Sequence, residues 1–328
     1  MQRREFISLV GGAAVSPFWA MAARSENAKT WRIGVLDTTS AKLNAANIDA
    51  FRDALRALGY VEGQNLAIEY RSADGRPDRF ADLAAELVRL EVDLIVTRGT
   101  PAARAARKAT GTIPIVMAAI GEPVATGMVA SLAHPGGNVT GLSAFVTELT
   151  GKRVEILREL VPKVSRIALL DNMTNGSVPA QWEATKKAAA ALGIQTLLCD
   201  VRKLEEIEPA VNAALAQQID ALSVGNDAVV IANRGQVIAL AAQRRLPAIY
   251  ATREFVDAGG LISYATNYPD LYRRAASYVD RIFKGARPAE LPVEQPAKFE
   301  LVINLKAARA IALDVPTALL ARADEVIE

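Results

Sequence analysis

Short apolar runs alternate with amphipathic segments along most of the chain, and this alternation constrains the fold more than any other feature. Residues 31–36 and 93–97 are compact apolar runs of the kind that form buried strands. Residues 47–58 repeat apolar side chains at helical spacing until Gly59 ends the pattern. Strands that alternate with helices of this length predict an α/β fold with parallel sheets covered on both faces.

The alternation is interrupted at Pro135-Gly136-Gly137 and restarts beyond it. Proline fixes φ and glycine permits positive φ, so the sequence predicts a turn there. We interpret the run that follows, residues 139–143, as a crossing between two lobes. The proline-punctuated stretch 287–296 indicates that the chain visits the first lobe again and returns. The pattern therefore predicts two Rossmann-like lobes joined by a multi-strand hinge, with a cleft that can close on a small molecule.

These crossings give the expected domain boundaries. We expect residues 24–142 and about 262–292 to form the first lobe. Residues 143–261 and about 293–328 are expected to form the second lobe.

The composition suits two globular lobes and argues against several classes of partner. The chain has 328 residues and is 51% apolar, which is enough for two hydrophobic cores. Because the formal net charge is only +2 and charges of both signs are interspersed, nucleic-acid binding is not expected. Cys199 is the only cysteine, which excludes an intrachain disulfide and cysteine-rich metal sites. We expect a monomer with a buried, inert thiol.

Residues 1–23 have the pattern of an export signal. Arg3 and Arg4 precede an apolar stretch that ends in small residues, which predicts cleavage near Ala22. The paired arginines resemble a twin-arginine signal, and an ordinary secretory signal is the alternative. A retained membrane anchor is disfavoured because the apolar stretch is too short to span a bilayer. We expect the mature protein in the periplasm.

Candidate ligand contacts lie mainly in the loops that follow the predicted strands. In an open parallel sheet these loops line the ligand crevice, and helix N-termini there offer N–H groups to anions. Arg253 is added because a guanidinium can bind a carboxylate through two hydrogen bonds. The residues selected are Thr38, Thr39, Ser40, Gly99, Thr100, Glu122, Asn172, Asn175, Ser177, Asn226, Asp227, Tyr250, Arg253 and Glu254.

The chemistry of this set indicates a ligand with a carboxylate, with or without an ammonium group. Ser40, Thr100 and backbone N–H groups suit the carboxylate. Glu122, Asp227 or Glu254 would hold the ammonium. The alternative is that several of these side chains only cap the helices that follow them, namely Thr100, Glu122, Ser177 and Asp227.

Aromatic residues are concentrated between residues 250 and 283. Tyr250, Phe255 and Tyr264 flank a proposed crossing, which suits stacking on a ring or apolar side chain of a ligand. Packing is the alternative, and it fits Tyr272 and Phe283 within a predicted helix.

The chain lacks the motifs of the common catalytic sites. His134 is the only histidine and lies in a turn, so a zinc site or a catalytic triad has no second histidine. Residues 141–145 depart from the nucleophile elbow, because the last glycine of that motif is replaced. Neither a Gly-x-Gly-x-x-Gly loop after Val35 nor a P-loop occurs. We therefore expect no catalytic activity, no metal and no cofactor.

Four segments of the sequence resemble those of a known family. They are His-Pro-Gly-Gly-Asn-Val-Thr-Gly at 134–141, Leu-Pro-Ala-Ile-Tyr at 246–250, Glu-Phe-Val-Asp-Ala-Gly-Gly-Leu-Ile-Ser-Tyr at 254–264 and Phe-Glu-Leu-Val-Ile-Asn-Leu at 299–305. In combination they resemble the ABC-transporter substrate-binding proteins of the tryptophan/tyrosine-type group, and the likeness extends over almost all of the mature chain. The resemblance implies a type I periplasmic-binding fold that delivers a small molecule to a membrane permease.

The favoured hypothesis is a receptor without enzymatic activity that closes on an amino acid or small aromatic acid by rigid-body hinge motion. It would then dock on an ABC permease in the inner membrane. One alternative is the ligand-sensing domain of a signalling system, which uses the same fold and cleft. A secreted α/β enzyme is a further alternative, disfavoured by the missing catalytic motifs.

Overall fold

The computed structural model describes residues 29–328, so the export signal expected in residues 1–23 lies outside the described part. The first lobe is built on five strands in the order β2-β1-β3-β4-β5, and every neighbouring pair is parallel. Its strands are β1 (Trp31–Asp37), β2 (Leu66–Ser72), β3 (Leu94–Arg98), β4 (Ile115–Ile120) and β5 (Val139–Ser143), and its first helices are α1 (Ala45–Ala57), α2 (Phe80–Arg89) and α3 (Thr100–Ala109).

The second lobe is built on seven strands in the order β12-β11-β10-β9-β8-β6-β7. They are β6 (Arg166–Asp171), β7 (Gln195–Asp200), β8 (Ala221–Val224), β9 (Ala248–Tyr250), β10 (Ile262–Thr266), β11 (Phe299–Asn304) and β12 (Glu325–Ile327). All pairs are parallel except β10 with β11. The remaining helices are α4 (Val146–Leu160), α5 (Val178–Ala191), α6 (Ile207–Ala216), α7 (Ala228–Ala232), α8 (Arg234–Gln243), α9 (Arg253–Asp257), α10 (Tyr268–Phe283), α11 (Leu305–Ala310) and α12 (Thr317–Leu320). The predicted two-lobe α/β architecture is confirmed.

Three segments of the chain cross between the lobes and are hydrogen-bonded to one another. The Thr266 hydroxyl donates to the Ala144 carbonyl at 2.7 Å, and the Asn267 N–H donates to the Lys298 carbonyl at 3.3 Å. The N–H of Ser143 donates to the Glu294 carbonyl at 2.9 Å. The three crossings are therefore held together by hydrogen bonds instead of forming separate linkers.

Two of the crossings lie at other positions than the sequence indicated. Residues 139–143 form β5 at the edge of the first sheet, and the chain leaves that lobe immediately afterwards, at Ala144. Residues 262–266, expected in the first lobe, form β10 and pair with β9 and β11 of the second sheet. The return to the first lobe is α10, which packs on α1 and β4. Both runs are short, mix apolar with small polar residues and are largely buried, so their composition does not reveal the sheet to which they belong.

The helix expected to begin at Gly121-Glu122-Pro123 does not form, and residues 123–130 make a series of turns and bends. Because no helix follows Glu122, it does not cap one as the alternative interpretation required; its φ is +48°. Residues 227–245 contain two helices, α7 and α8, which meet at Asn233.

Each sheet is buried on both faces, which explains its continuous apolar strands. Ile33, Phe51 and Tyr272 lie in the core that joins α1 and α10 to the first sheet. Trp31 stacks on Phe283 with ring centroids 3.9 Å apart. Cys199 is 3% exposed, and burial raises the pKa of its thiol to about 11, in agreement with an unreactive side chain.

Asp171 and Asp227 form a buried carboxylate pair beneath the second-lobe end of the cleft. Asp227 caps α7 by accepting from the Val229 N–H at 2.9 Å. Asp171 accepts from the Asn172 N–H at 3.0 Å, and its Oδ2 has no hydrogen-bond partner in residues 29–328. Burial, and secondarily the charge of Asp227, raise the pKa of Asp171 to about 8. The folded protein therefore holds a proton here that the unfolded chain releases in mild acid.

We predict that Gly141→Ala strongly destabilises the first lobe. Gly141 has φ +129°, and a Cβ there would lie 2.2 Å from the Met117 carbonyl oxygen on β4. The backbone of β4 cannot move aside for this Cβ without disturbing the sheet. We therefore expect the free energy of unfolding, measured by urea titration, to fall by about 3 kcal/mol. Gly137→Ala, with no atom within 4 Å, is the control. Equal stability of the two variants would contradict the close strand packing.

We predict that the native protein loses stability as the pH becomes alkaline and that the Asp171→Asn variant does not. The stabilisation that comes from the raised pKa of Asp171 is complete below the pKa of the unfolded chain, near 3.8. It is lost as the pH rises through the folded-state pKa of about 8. Between about pH 6 and about pH 9 the unfolding free energy of the native protein should fall by about 2 kcal/mol relative to the variant.

Asp220→Asn is the matched control for this titration. Burial opposes the effect, but the N–H groups of Ser165 and Arg166 hold the pKa of Asp220 below its usual range, so it does not titrate in this window. Parallel pH profiles for native protein and Asp171→Asn would show that Asp171 does not carry the proton.

Candidate ligand-binding site

The lobes meet over a small enclosed cavity at the carboxyl ends of the parallel strands. Its volume is about 20 Å³. Both lobes supply its walls, as expected for an open-sheet crevice at a hinge. We call it the inner cavity, and its lining residues are Thr38, Arg98, Gly99, Thr100, Ala119, Gly121, Ala144, Asn175, Ser177, Asn226, Ile231 and Tyr268.

Six of the residues selected from the sequence are brought together in this lining. They share a position in the loop or first helical turn after a strand, and they are Thr38, Gly99, Thr100, Asn175, Ser177 and Asn226. The Thr100 hydroxyl donates to the Gly121 carbonyl at 3.2 Å across two neighbouring loops of the first lobe. Asn226 donates from Nδ2 to the Tyr268 hydroxyl at 3.4 Å.

Arg98 is the only charged side chain of the lining, and the sequence rule did not select it. It is the last residue of β3 and only 2% exposed. Its Nη1 donates to Asn44 Oδ1 at 2.7 Å, and its Nη2 donates to both carboxylate oxygens of Glu254 at 2.8 Å. The signal in the sequence was an arginine that ends an otherwise apolar strand, one position before the loop.

A buried polar network holds Arg98 from the first-lobe side. Asn44 donates from Nδ2 to Asp37 Oδ2 at 2.7 Å, and the Tyr272 hydroxyl donates to the same oxygen at 3.0 Å. Burial raises the pKa of Asp37, although the nearby Arg98 charge opposes the shift. Arg98 Cζ also lies 5.0 Å from the Tyr268 ring centroid, within cation–π range. The guanidinium is therefore fixed before any ligand arrives.

Asn172 and Asp227 shape the second-lobe wall from behind. Asp227 accepts from Asn172 Nδ2 at 3.2 Å and from Asn175 Nδ2 at 2.9 Å. Both residues were selected as ligand contacts, but the structure places them under the loop rather than in the lining. Gly225 leaves room for Asp171, because a Cβ on it would lie 1.8 Å from Asp171 Oδ2.

Three residues selected from the first lobe also lie outside the inner cavity. Thr39 is fully buried, and its carbonyl accepts from the Tyr70 hydroxyl at 2.7 Å. Ser40 Oγ accepts from the Leu43 N–H at 3.3 Å and so closes a turn. The Glu122 carbonyl accepts from the Thr126 hydroxyl at 2.7 Å. These residues build the loops without lining the cavity.

The aromatic residues expected beside the ligand lie elsewhere. Tyr250 and Phe255 are buried in the second-lobe core and stack on each other at 4.6 Å between centroids. Tyr264 lines a separate surface groove next to Phe299. The aromatic wall of the inner cavity is Tyr268, at the start of α10, because the chain re-enters the first lobe at this residue and turns its ring into the cleft.

A second, outer cavity lies on the other side of the Arg98–Glu254 pair. Its volume is about 90 Å³, and Glu254, Asp257 and Glu300 contribute three carboxylates to it. Arg253 is at its rim, paired with Glu325 at 2.7 Å and Asp257 at 3.2 Å, so its guanidinium is already engaged. Tyr268 borders both cavities. The ion pair and this ring form the wall between them.

The lobes are closed against each other around the inner cavity. A Cβ on Gly121 would lie 2.8 Å from Ser177 Cβ on the opposite lobe. A Cβ on Gly75 would lie 2.5 Å from Ala232 Cβ, again across the cleft. Glycine at these positions permits an approach that any other residue would prevent.

Residues 29–328 contain no group of three or more histidine, cysteine or acidic side chains arranged to hold a metal ion. No helix in the same residues is long and apolar enough to cross a membrane.

Known proteins resemble this chain over most of its length. A tyrosine-binding protein of Clostridioides difficile is 28% identical over 261 residues, which are 80% of this chain and 75% of that protein. A solved ABC domain from Streptococcus pneumonia in complex with L-Trp is 29% identical, with a TM-score of 0.84 over 91% of this chain and 100% of that one. A ligand-free, open substrate-binding protein from Clostridium difficile is 26% identical, with a TM-score of 0.64 over 91% and 99%.

The lower score against the open structure agrees with the closed contacts between the lobes. Together with these structures, a repressor domain only 15% identical confirms the type I periplasmic-binding fold. The family model described as ABC transporter substrate binding protein matches residues 32–327, which include both lobes and the hinge. The chain therefore belongs to the ABC-transporter substrate-binding proteins, and its relatives are of the tryptophan/tyrosine type.

Proposed function

We propose that this chain is the extracytoplasmic receptor of an ABC importer, which closes on an amino acid or small aromatic acid and delivers it to the permease. The observation that carries the proposal is the inner cavity, which both lobes enclose and in which Arg98 is the only charged side chain. Export to the periplasm, expected from residues 1–23, belongs to the same proposal.

The first-lobe wall is chemically suited to a carboxylate. Arg98 and the N-terminus of the ten-residue helix α3 converge on the inner cavity. A guanidinium and unpaired helical N–H groups both favour an anion, and burial strengthens each interaction. We infer that the ligand carboxylate lies at this wall.

The remaining walls suit an apolar or aromatic body. Ala119, Ala144 and Ile231 are small or apolar, and Tyr268 offers a ring. The relatives that bind tyrosine or hold L-Trp also support a ligand with an aromatic body. Tyrosine and tryptophan are therefore the first ligands to test.

We infer that the ligand leaves chemically unchanged. The lining contains hydroxyls and amides but neither a histidine nor a carboxylate that would act as a base beside them. The site then serves to bind the ligand. On binding, the two lobes close as rigid bodies that move about the three crossings. Docking on the permease would depend on the spacing that the lobes have in the closed state.

We predict a ligand-dependent rise in thermal stability that is confined to amino acids and aromatic acids. A ligand at a hundred times its dissociation constant adds about 2.7 kcal/mol to the unfolding free energy. Thermal unfolding is measured against amino acids, aromatic acids, sugars and nicotinamide cofactors. A shift with sugars or a dinucleotide alone would contradict the proposed ligand class.

We predict that Gly121→Ala weakens binding by preventing full closure. The new Cβ would lie 2.8 Å from Ser177 Cβ on the opposite lobe and 2.9 Å from Val146 Cγ2 at the start of α4. We expect about tenfold weaker affinity by calorimetry, equivalent to about 1.4 kcal/mol, and a larger radius of gyration at saturating ligand.

The control for this closure test is Gly111→Ala, whose Cβ meets no atom within 4 Å. It should retain native affinity and dimensions. Native affinity in Gly121→Ala would show that binding does not require the closed contact seen here.

A further inference from the structure

A small apolar pocket lies in the second lobe, outside the cleft. Its walls are formed by α8, β9, the turn at Gly259-Gly260 and α11, and its volume is about 90 Å³. Ala242, Gly259 and Ala310 at its rim are exposed, so the pocket is accessible from solvent. We call it the back pocket. Because every lining residue belongs to the second lobe, its occupation does not require the cleft to close.

Tyr250 supplies the only polar side-chain group of the back pocket, since all other lining residues are alanine, glycine, leucine or isoleucine. The residue is 1% exposed, and its hydroxyl forms no hydrogen bond within residues 29–328. That oxygen is not sealed in the core, in contrast to the unpaired hydroxyls of Ser223 and Ser263. Burial raises the pKa of Tyr250, so the phenol keeps its proton and remains a donor. A buried tyrosine hydroxyl normally has a partner, and here the partner belongs in the pocket.

Packing accounts for the ring of Tyr250 but not for its hydroxyl. The ring stacks on Phe255 with 4.6 Å between centroids. Gly260 makes room for the ring, because a Cβ there would lie 2.7 Å from Tyr250 Cε2. A phenylalanine would make the same contacts without burying an unpaired polar group, which is costly. Water is a poor partner, since a buried water molecule needs about two to four polar groups and the side chains of this pocket offer one.

Beyond the proposed function, we propose that the back pocket binds a small, neutral and mainly apolar organic molecule whose oxygen accepts a hydrogen bond from Tyr250. The ligand is neutral because the lining has no charged side chain to compensate a buried charge. A cavity of about 150 Å³ holds benzene, so about four non-hydrogen atoms fit within these walls. A longer ligand extends past the exposed rim. Short ketones meet these requirements of size, charge and acceptor.

The test uses butanone as the ligand and xenon as an apolar probe without an acceptor, with binding followed by amide NMR. Butanone should produce saturable shifts at the amides of Gly259, Gly260 and Leu261, with a dissociation constant in the millimolar range. Tyr250→Phe keeps the ring and removes the donor. It should bind butanone about fivefold more weakly, which corresponds to the net contribution of one hydrogen bond, and bind xenon as the native protein does.

A second pair of variants tests the location of the site. Ala242→Leu adds bulk at the rim and should weaken the binding of both probes. Ala239→Leu, exposed on the same helix but outside the lining, is the matched control and should leave both unchanged. Thermal unfolding verifies that each variant is folded. Equal affinity of native protein and Tyr250→Phe for butanone would overturn the inference, as would shifts that do not saturate or that centre on Gly99 and Gly121 of the inner cavity.

Discussion

A buried guanidinium needs a counter-charge, and Arg98 finds it on the opposite lobe. Removing either partner of such a pair would leave the other charge buried and unmatched, which costs about 3–5 kcal/mol. The Arg98–Glu254 contact therefore ties the two lobes together in the closed arrangement. Asp37 and Asn44 fix the arginine from its own side. The position of the cavity, its polarity and the closure of the cleft all depend on this contact.

The hinge makes such a contact reversible. Three crossings bonded to one another limit the lobes to motion about a common axis, while each lobe keeps its own doubly covered sheet. Gly75 and Gly121 allow the faces to meet without side chains in between. Closure therefore changes few interactions within the lobes, and the free energy of the ligand contacts is available to stabilise the closed state.

The sequence predicts the architecture well because alternating strands and helices leave few possibilities. It also predicts Thr100, Asn175 and Asn226 as lining residues, since loops at carboxyl ends of parallel strands converge. It misplaces Tyr250, because a residue at a strand end can turn into the core as easily as into the cleft. Arg98 escapes prediction because its partner lies 156 residues further along the chain, and no local pattern reveals that pairing.

The most direct test of the account is a crystal structure of the protein with saturating L-tryptophan or L-tyrosine. The account predicts one ligand in the inner cavity, with its carboxylate beside Arg98 and Thr100 and its ring against Tyr268. The lobes should be closed on the ligand, with the inner cavity widened to admit it. A ligand bound outside the cleft, or bound within it with the carboxylate turned away from Arg98, would contradict the central claim.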